Sequence, residues 1–147
     1  MKSLIIMLSM LFIPLNVHAT TPEELRAAIQ KAGGPEGIIA DAAKAAARLA
    51  PRQIDSETEM TAAVGTHRRL VYYTRLLNYE KSEISDIASL QIKFFRQNAQ
   101  AVCSAPLASI LIGEYGVEYK YMVYSKSREY LFSYAYNKPT CNKLIPE

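Results

Sequence analysis

The chain has no tryptophan, and only two cysteines, two histidines and six glycines among its 147 residues. A zinc site needs three or four ligands, and without a C-x-x-C or H-x-x-x-H pair the donors are too few. The densest glycine cluster, Gly33-Gly34-Pro35-Glu36-Gly37, lacks the lysine and the preceding strand of a phosphate loop. It reads as a turn between two helices. No G-x-S-x-G elbow marks a serine nucleophile. Charge of one sign is also scarce. Seventeen Lys+Arg stand against fourteen Asp+Glu, net +3, where a nucleic-acid-binding domain of this size carries a clustered basic excess. Beyond residue 15 no apolar run approaches the roughly 20 residues of a membrane span. The expectations are therefore no metal, no cofactor, no nucleic-acid partner, and no stable membrane span once the leader is removed.

The leader is the first thing present. Lys2 gives a positive start, Leu4–Leu15 is mostly apolar, and Val17-His18-Ala19 has the small-x-small form of a signal-peptidase site. Its apolar core is too short to span a bilayer comfortably. Cleavage after Ala19 predicts a mature chain of 128 residues starting at Thr20, with 16 basic and 14 acidic residues and one histidine. The destination is periplasmic or secreted, and the short leader suits a bacterium. In such an oxidising compartment the only cysteine pair, Cys103 and Cys141, is expected to form a disulfide. A redox-active pair normally has C-x-x-C spacing.

The mature chain divides into an Ala-rich helical extension, 20–50, and an α+β domain, 51–147. Thr21-Pro22-Glu23-Glu24 is a capping box with proline at the first helical position. Gly33-Gly34 ends that helix, and a second helix runs from Pro35 to Ala50. Small alanines bury little area each, so this pair has a thin apolar face. Glu57–Val64 and Arg68–Leu77 alternate as strands around a Gly65-Thr66-His67 turn. A long amphipathic helix begins at Ser82 or Ser85 and reaches Cys103, with Ile84, Ile87, Leu90, Phe94 and Val102 at helical spacing. A short helix follows and ends at Gly113. Tyr115–Tyr136 then reads as a hairpin that holds seven of the ten tyrosines. The predicted fold is α+β: an N-terminal helical hairpin, then two antiparallel β-hairpins forming one sheet covered by the long amphipathic helix.

The stretch from Leu49 to Cys141 resembles a recurrent family of small exported bacterial proteins. The residues that carry the resemblance are Pro51, Asp55-x-Glu57-Thr58, Tyr72-x-Thr74-x-x-Leu77, the helix ending in Cys103, Leu111-x-Gly113, Val117-x-Tyr119-x-Tyr121, and Cys141. It implies a disulfide-bonded α+β domain and carries no activity with it. The Ala-rich helices lie outside it.

Several constellations bear on function. Glu57 and Glu59 at alternate spacing, with Asp55, make either paired carboxylates or a charged strand edge that discourages pairing. His67 is the only mature histidine. As a general base with a nearby acid it would make a small envelope hydrolase, and as a turn residue it does no chemistry. Arg68, Arg69 and Arg75 interleave with Tyr72 and Tyr73, a pattern shared by single-strand nucleic-acid binders and solvated sheet edges. The tyrosine array has two readings. Tyr119, Tyr121, Tyr130, Tyr134 and Tyr136 are core if they face the long helix. On the opposite face, flanked by Arg68 and Arg69, they form an aromatic surface for a protein, a peptide or a glycan. Leu131, Ala135 and Met122 are a thinner alternative core, which favours the first reading. Together these features point to a non-catalytic interaction domain of the envelope whose partner is another envelope or secreted protein. Its role would be accessory to secretion or conjugation, or the neutralising of a toxin. A hydrolase using His67 and a glycan-binding module on the tyrosine face stand as alternatives.

Overall fold

The computed structural model describes residues 21–144. The leader and its cleavage site lie outside the described residues. The elements follow in the order α1 (Pro22–Lys31), α2 (Pro35–Leu49), β1 (Arg52–Gln53), β2 (Thr58–Thr66), β3 (Arg69–Leu76), α3 (Ile87–Cys103), α4 (Pro106–Gly113), β4 (Glu118–Tyr124), β5 (Tyr130–Tyr136) and α5 (Lys138–Leu144). The fold class is α+β, as the patterning predicts.

Local chemistry sets the first helix pair. The Thr21 hydroxyl accepts from the Glu24 N–H at 3.2 Å, and the Thr21 N–H donates to the Glu24 carboxylate at 3.1 Å. Gly33 and Gly34 take φ of +92° and +87°, which side chains resist. The pair is thin but firmly seated. Ile29 and Ala46 are fully buried, and Ile38 and Ile39 nearly so, in one core with the sheet. Ala43 and Ile39 of α2 come so close to β2 that a Cβ on Gly65 would lie 2.8 Å from Ile39 Cγ2.

Among the described residues the sheet has five strands in the order β1-β2-β3-β4-β5. The two hairpins, β2–β3 and β4–β5, are antiparallel as predicted, but the strands that join them, β3 and β4, are parallel. The reason is the connection. α3 and α4 form a helical crossover, and a crossover returns the chain in the direction in which it left. Three further details differ from the sequence reading. Residues 52–53 of the supposed connector pair with β2 as a short edge strand. The first turn is shorter than Gly65-Thr66-His67: β2 runs on through Thr66, and His67 holds a left-handed φ of +47°. The long helix starts later than Ser82 or Ser85, because Asp86 is the cap, accepting the Ser89 N–H at 2.9 Å and its hydroxyl at 2.6 Å. A single 3-10 turn, Lys81–Glu83, precedes it.

Among the described residues the two long helices, α2 and α3, lie on one face of the sheet. α2 covers β2 through Gly65, while Phe94 and Phe95 of α3 meet Phe132, Tyr134 and Tyr136 of β5. Cys103 at the end of α3 is bonded to Cys141, with Cα atoms 5.5 Å apart. The half-cystine sits in α5, a short helix absent from the sequence reading. It is opened by a reciprocal cap: the Asn137 N–H donates to the Thr140 hydroxyl at 2.8 Å, and the Thr140 N–H donates to Asn137 Oδ1 at 3.1 Å.

Candidate functional site

The predicted interaction residues separate into three environments. Tyr119, Tyr121, Tyr134 and Tyr136 are core, between 0% and 8% exposed. For these four the core reading, which the pattern favours, holds; as an exposed interaction surface the five are corrected, and the glycan-binding alternative loses four of its rings. Tyr72, Tyr121 and Tyr134 stack across three strands at 5.3 and 5.0 Å. Asn98 donates to the Tyr134 hydroxyl at 3.3 Å, and the Tyr136 hydroxyl donates to the Phe95 carbonyl at 2.6 Å. Burial pushes all these phenols well above the ordinary tyrosine value. Tyr130 alone of the five is exposed, at 47%.

Arg68 and Arg69 stand at the turn end of the first hairpin, away from the tyrosine stack, and both are engaged. Arg68 pairs with Glu36 of α2 at 3.1 Å and donates to the Tyr115 carbonyl at 3.0 Å. Arg69 pairs with Glu118 at 2.7 Å. The Glu36 carboxyl is held below the usual range, first by its own backbone N–H and then by Arg68. His67 opens on the same cleft, which Thr66, Gly116 and Asn137 also line. Glu118, which shares that cleft, and Glu36, which feels the His67 charge, are both held by arginines. No serine or cysteine lines the cleft among the described residues. Nor do the three carboxylates after Pro51 converge. Asp55 accepts the Glu57 N–H at 2.8 Å, Glu57 accepts the Tyr79 hydroxyl at 3.4 Å, and Glu59 pairs with Arg75 at 2.7 Å. Among the described residues no group of three or more His, Cys, Asp or Glu side chains could hold a metal ion.

What the arrangement does offer is the other face of the sheet. No helix among the described residues covers it. Strand alternation and the β3–β4 register put Tyr73 beside Met122, Arg75 beside Tyr124 and Val71 beside Lys120 on that face. Tyr73 and Tyr124 stack at 6.3 Å, and Tyr124 meets Tyr130 edge-on at 5.9 Å. Val64 is 44% exposed on the same side. A cavity of about 460 Å³ crosses the strands, with Pro51, Thr61 and Ala62 on one side, Tyr73 and Arg75 at its floor, and Tyr124 and Arg128 opposite. Sequence reasoning missed Tyr124 as a site residue and weighed Tyr73 only within the basic–aromatic pattern of its own strand. Alternation already opposed each to a buried neighbour, Tyr72 or Val123. What the sequence could not supply was the parallel pairing that sets the two rings side by side.

No protein-family model matches the chain, and no curated protein matches it in sequence. Solved structures do match in fold. A Pseudomonas aeruginosa protein described as secreted superposes with TM-score 0.56 at 16% identity, over 84% of this chain and 98% of that one. The type II secretion system pilotin of Vibrio cholerae superposes with TM-score 0.57 at 10% identity, over 78% of this chain and 99% of the pilotin. The type 2 secretion system pilotin of Vibrio vulnificus gives TM-score 0.57 at 8% identity, over 76% and 96%. At these identities the likeness is one of fold, and the α+β fold is shared with these three chains.

Proposed function

We propose that the protein is an exported accessory of a bacterial envelope secretion apparatus, and that it works by binding another protein rather than by catalysis. The observation that carries this reading is the match to two secretion-system pilotins over 96–99% of their length. Nearly the whole of each pilotin fold is therefore present here. The leader at residues 1–19 and the bonded cysteine pair support export. The uncovered sheet face supports protein binding, since contiguous exposed apolar surface marks interaction sites. Among the roles the sequence leaves open, the fold favours secretion over conjugation or toxin neutralisation.

The test is genetic and uses the native host. Deleting the gene should lower the amount of protein released by its secretion apparatus and impair assembly of the envelope complex. The wild-type gene should restore both. A Tyr73→Asp, Tyr124→Asp variant should reach wild-type abundance in the envelope and restore neither. Unchanged secretion and assembly in the deletion strain would overturn the reading. Mass spectrometry of the exported protein should find Thr20 at its start.

A further inference from the structure

We propose that the groove on the open sheet face takes an extended, acidic segment of a partner protein, with an apolar side chain seated against Tyr73 and Tyr124 and a carboxylate held by Arg128. This deepens the protein-binding reading above and rests on it.

Charge is the first argument. The face carries four cations, Arg69, Arg75, Lys120 and Arg128, and two anions, Glu59 and Glu118, and Glu118 is taken up by Arg69 at 2.7 Å. Arg75 is neutralised by Glu59, two of its nitrogens lying 2.7 and 3.1 Å from one carboxylate oxygen. Arg128 and Lys120 form no ion pair among the described residues. An acidic ligand supplies what this arrangement lacks, and a guanidinium can bind a carboxylate through two parallel hydrogen bonds. The backbone of Arg128 is also held. Its φ is +70°, and its N–H donates to the Ser125 carbonyl at 2.9 Å, so the turn rather than a mobile loop presents it at the groove mouth.

Shape is the second argument. A cavity of about 460 Å³ walled by two stacked tyrosines admits apolar side chains between its polar ends. The third argument is the strand edge beside it. β1 pairs with β2 only at Glu59 and Met60. From Ala62 to Thr66 no strand among the described residues covers that edge. The stretch Ala62-Ala63-Val64-Gly65-Thr66 holds no charge and no proline, the residues that ordinarily blunt an edge. An extended segment can add there through main-chain hydrogen bonds while its side chains reach the groove. Ala62 belongs to both features. A lipid surface fits less well, because recognition of anionic headgroups calls for a cluster of about 4–8 Lys/Arg, and only Arg128 and Lys120 are unpaired on this face.

The mature chain can be titrated with a short soluble peptide in which glutamates alternate with valine and phenylalanine, and with its lysine counterpart. The acidic peptide should bind, and more weakly as salt rises. Arg128→Glu should weaken that binding about tenfold or more, the loss expected for a charge-assisted hydrogen bond, and should improve binding of the lysine peptide. Tyr73→Ser should weaken the acidic peptide as well. Arg128 is exposed, so unfolding is not expected; Arg128→Gln, checked for an unchanged melting temperature, provides a second variant. Equal binding of the two peptides, or no binding of either, would overturn the inference. So would Arg128-dependent binding of phosphatidylglycerol vesicles or peptidoglycan fragments in place of the peptide. If secretion in the native host still depends on Tyr73 and Tyr124 after such a result, only the acidic-peptide inference falls. If it does not, the protein-binding reading falls too.

Discussion

Tyr72 and Tyr73 are neighbours in the chain and lie in opposite environments. Tyr72 is 3% exposed and stacks on Tyr121 under the helices, while Tyr73 stacks on Tyr124 on the open face. The two should respond differently to truncation. Tyr121→Ala removes a ring packed against Tyr72, Tyr134 and Tyr136 and should cost about 3–5 kcal/mol of stability, the range for a large aromatic deleted from a core. Tyr73→Ala loses a partly exposed stack and should cost no more than about 1.5 kcal/mol. Urea unfolding of both variants measures the difference, and equal costs would mean that the face is covered after all. The same burial makes a prediction about alkali. Tyr72, Tyr119, Tyr121, Tyr134 and Tyr136 have phenols raised by desolvation. A group whose folded pKa lies above its unfolded value leaves stability intact below the unfolded value, which is about 10 for tyrosine. Stability is then lost as pH rises past it toward the folded value, because the unfolded chain gives up those protons first. These five should therefore ionise in one step with unfolding, visible as phenolate absorbance rising together with loss of circular dichroism. Phenolate absorbance from these five in a chain that remains folded would refute the buried stack.

At the scale of elements, the disulfide and α5 belong together. Cys141 is the only buried residue of α5, so the helix is attached to the body chiefly through Sγ of Cys103 and the Asn137–Thr140 cap. Replacing both cysteines by serine opens a loop with a sequence separation of 38 and should lower stability by about 4 kcal/mol in the chain-entropy model. Amide hydrogen exchange should show α5 losing protection before β5. Equal protection in the oxidised protein and the double variant would show that α5 is held by other contacts. This element also shows what was legible in the sequence. The pairing was readable because two cysteines in an exported chain leave one partner each. The helix around Cys141 was not, since Asn137-Lys138-Pro139 reads as the end of a strand and the reciprocal cap spans four residues. The α1 capping box and the two hairpins follow from local chemistry and alternation. The parallel β3–β4 junction does not, because it is set by how a crossover packs rather than by residues in either strand. The candidate site depended on that junction. Tyr73 and Tyr124 are 51 positions apart in sequence and become stacked neighbours only through it.

The whole molecule raises the question of whether the Ala-rich extension is a separable part. By sequence the resemblance stops at Leu49, and residues 51–147 make up about two-thirds of the chain. The solved pilotins nevertheless cover 76–78% of this chain, and the secreted Pseudomonas protein covers 84%. That span cannot fit within residues 51–147, so the structural likeness extends into the helical hairpin. Packing gives the physical reason. α2 lies over β2, with Ile39 and Ala43 against Gly65, and Ile29, Ile38 and Ala46 are buried in the same core as Leu70. Ion pairs add orientation at the rim, Arg26 with Glu114 of the α4 end at 2.7 Å and Arg68 with Glu36 at 3.1 Å, though exposed pairs of this kind contribute little stability. A chain beginning at Ala50 should therefore lack a cooperative unfolding transition. It would expose the apolar floor of β2 and β3, leaving one sheet face half bare, while the opposite face is already open. A two-layer domain needs at least one face covered throughout to form a core. The expected observables are lost near-ultraviolet circular dichroism and strong binding of a hydrophobic dye, with strand content partly retained. A chain from Ala50 that melts cooperatively near the temperature of the mature protein would show that the extension is an appendage to residues 51–147.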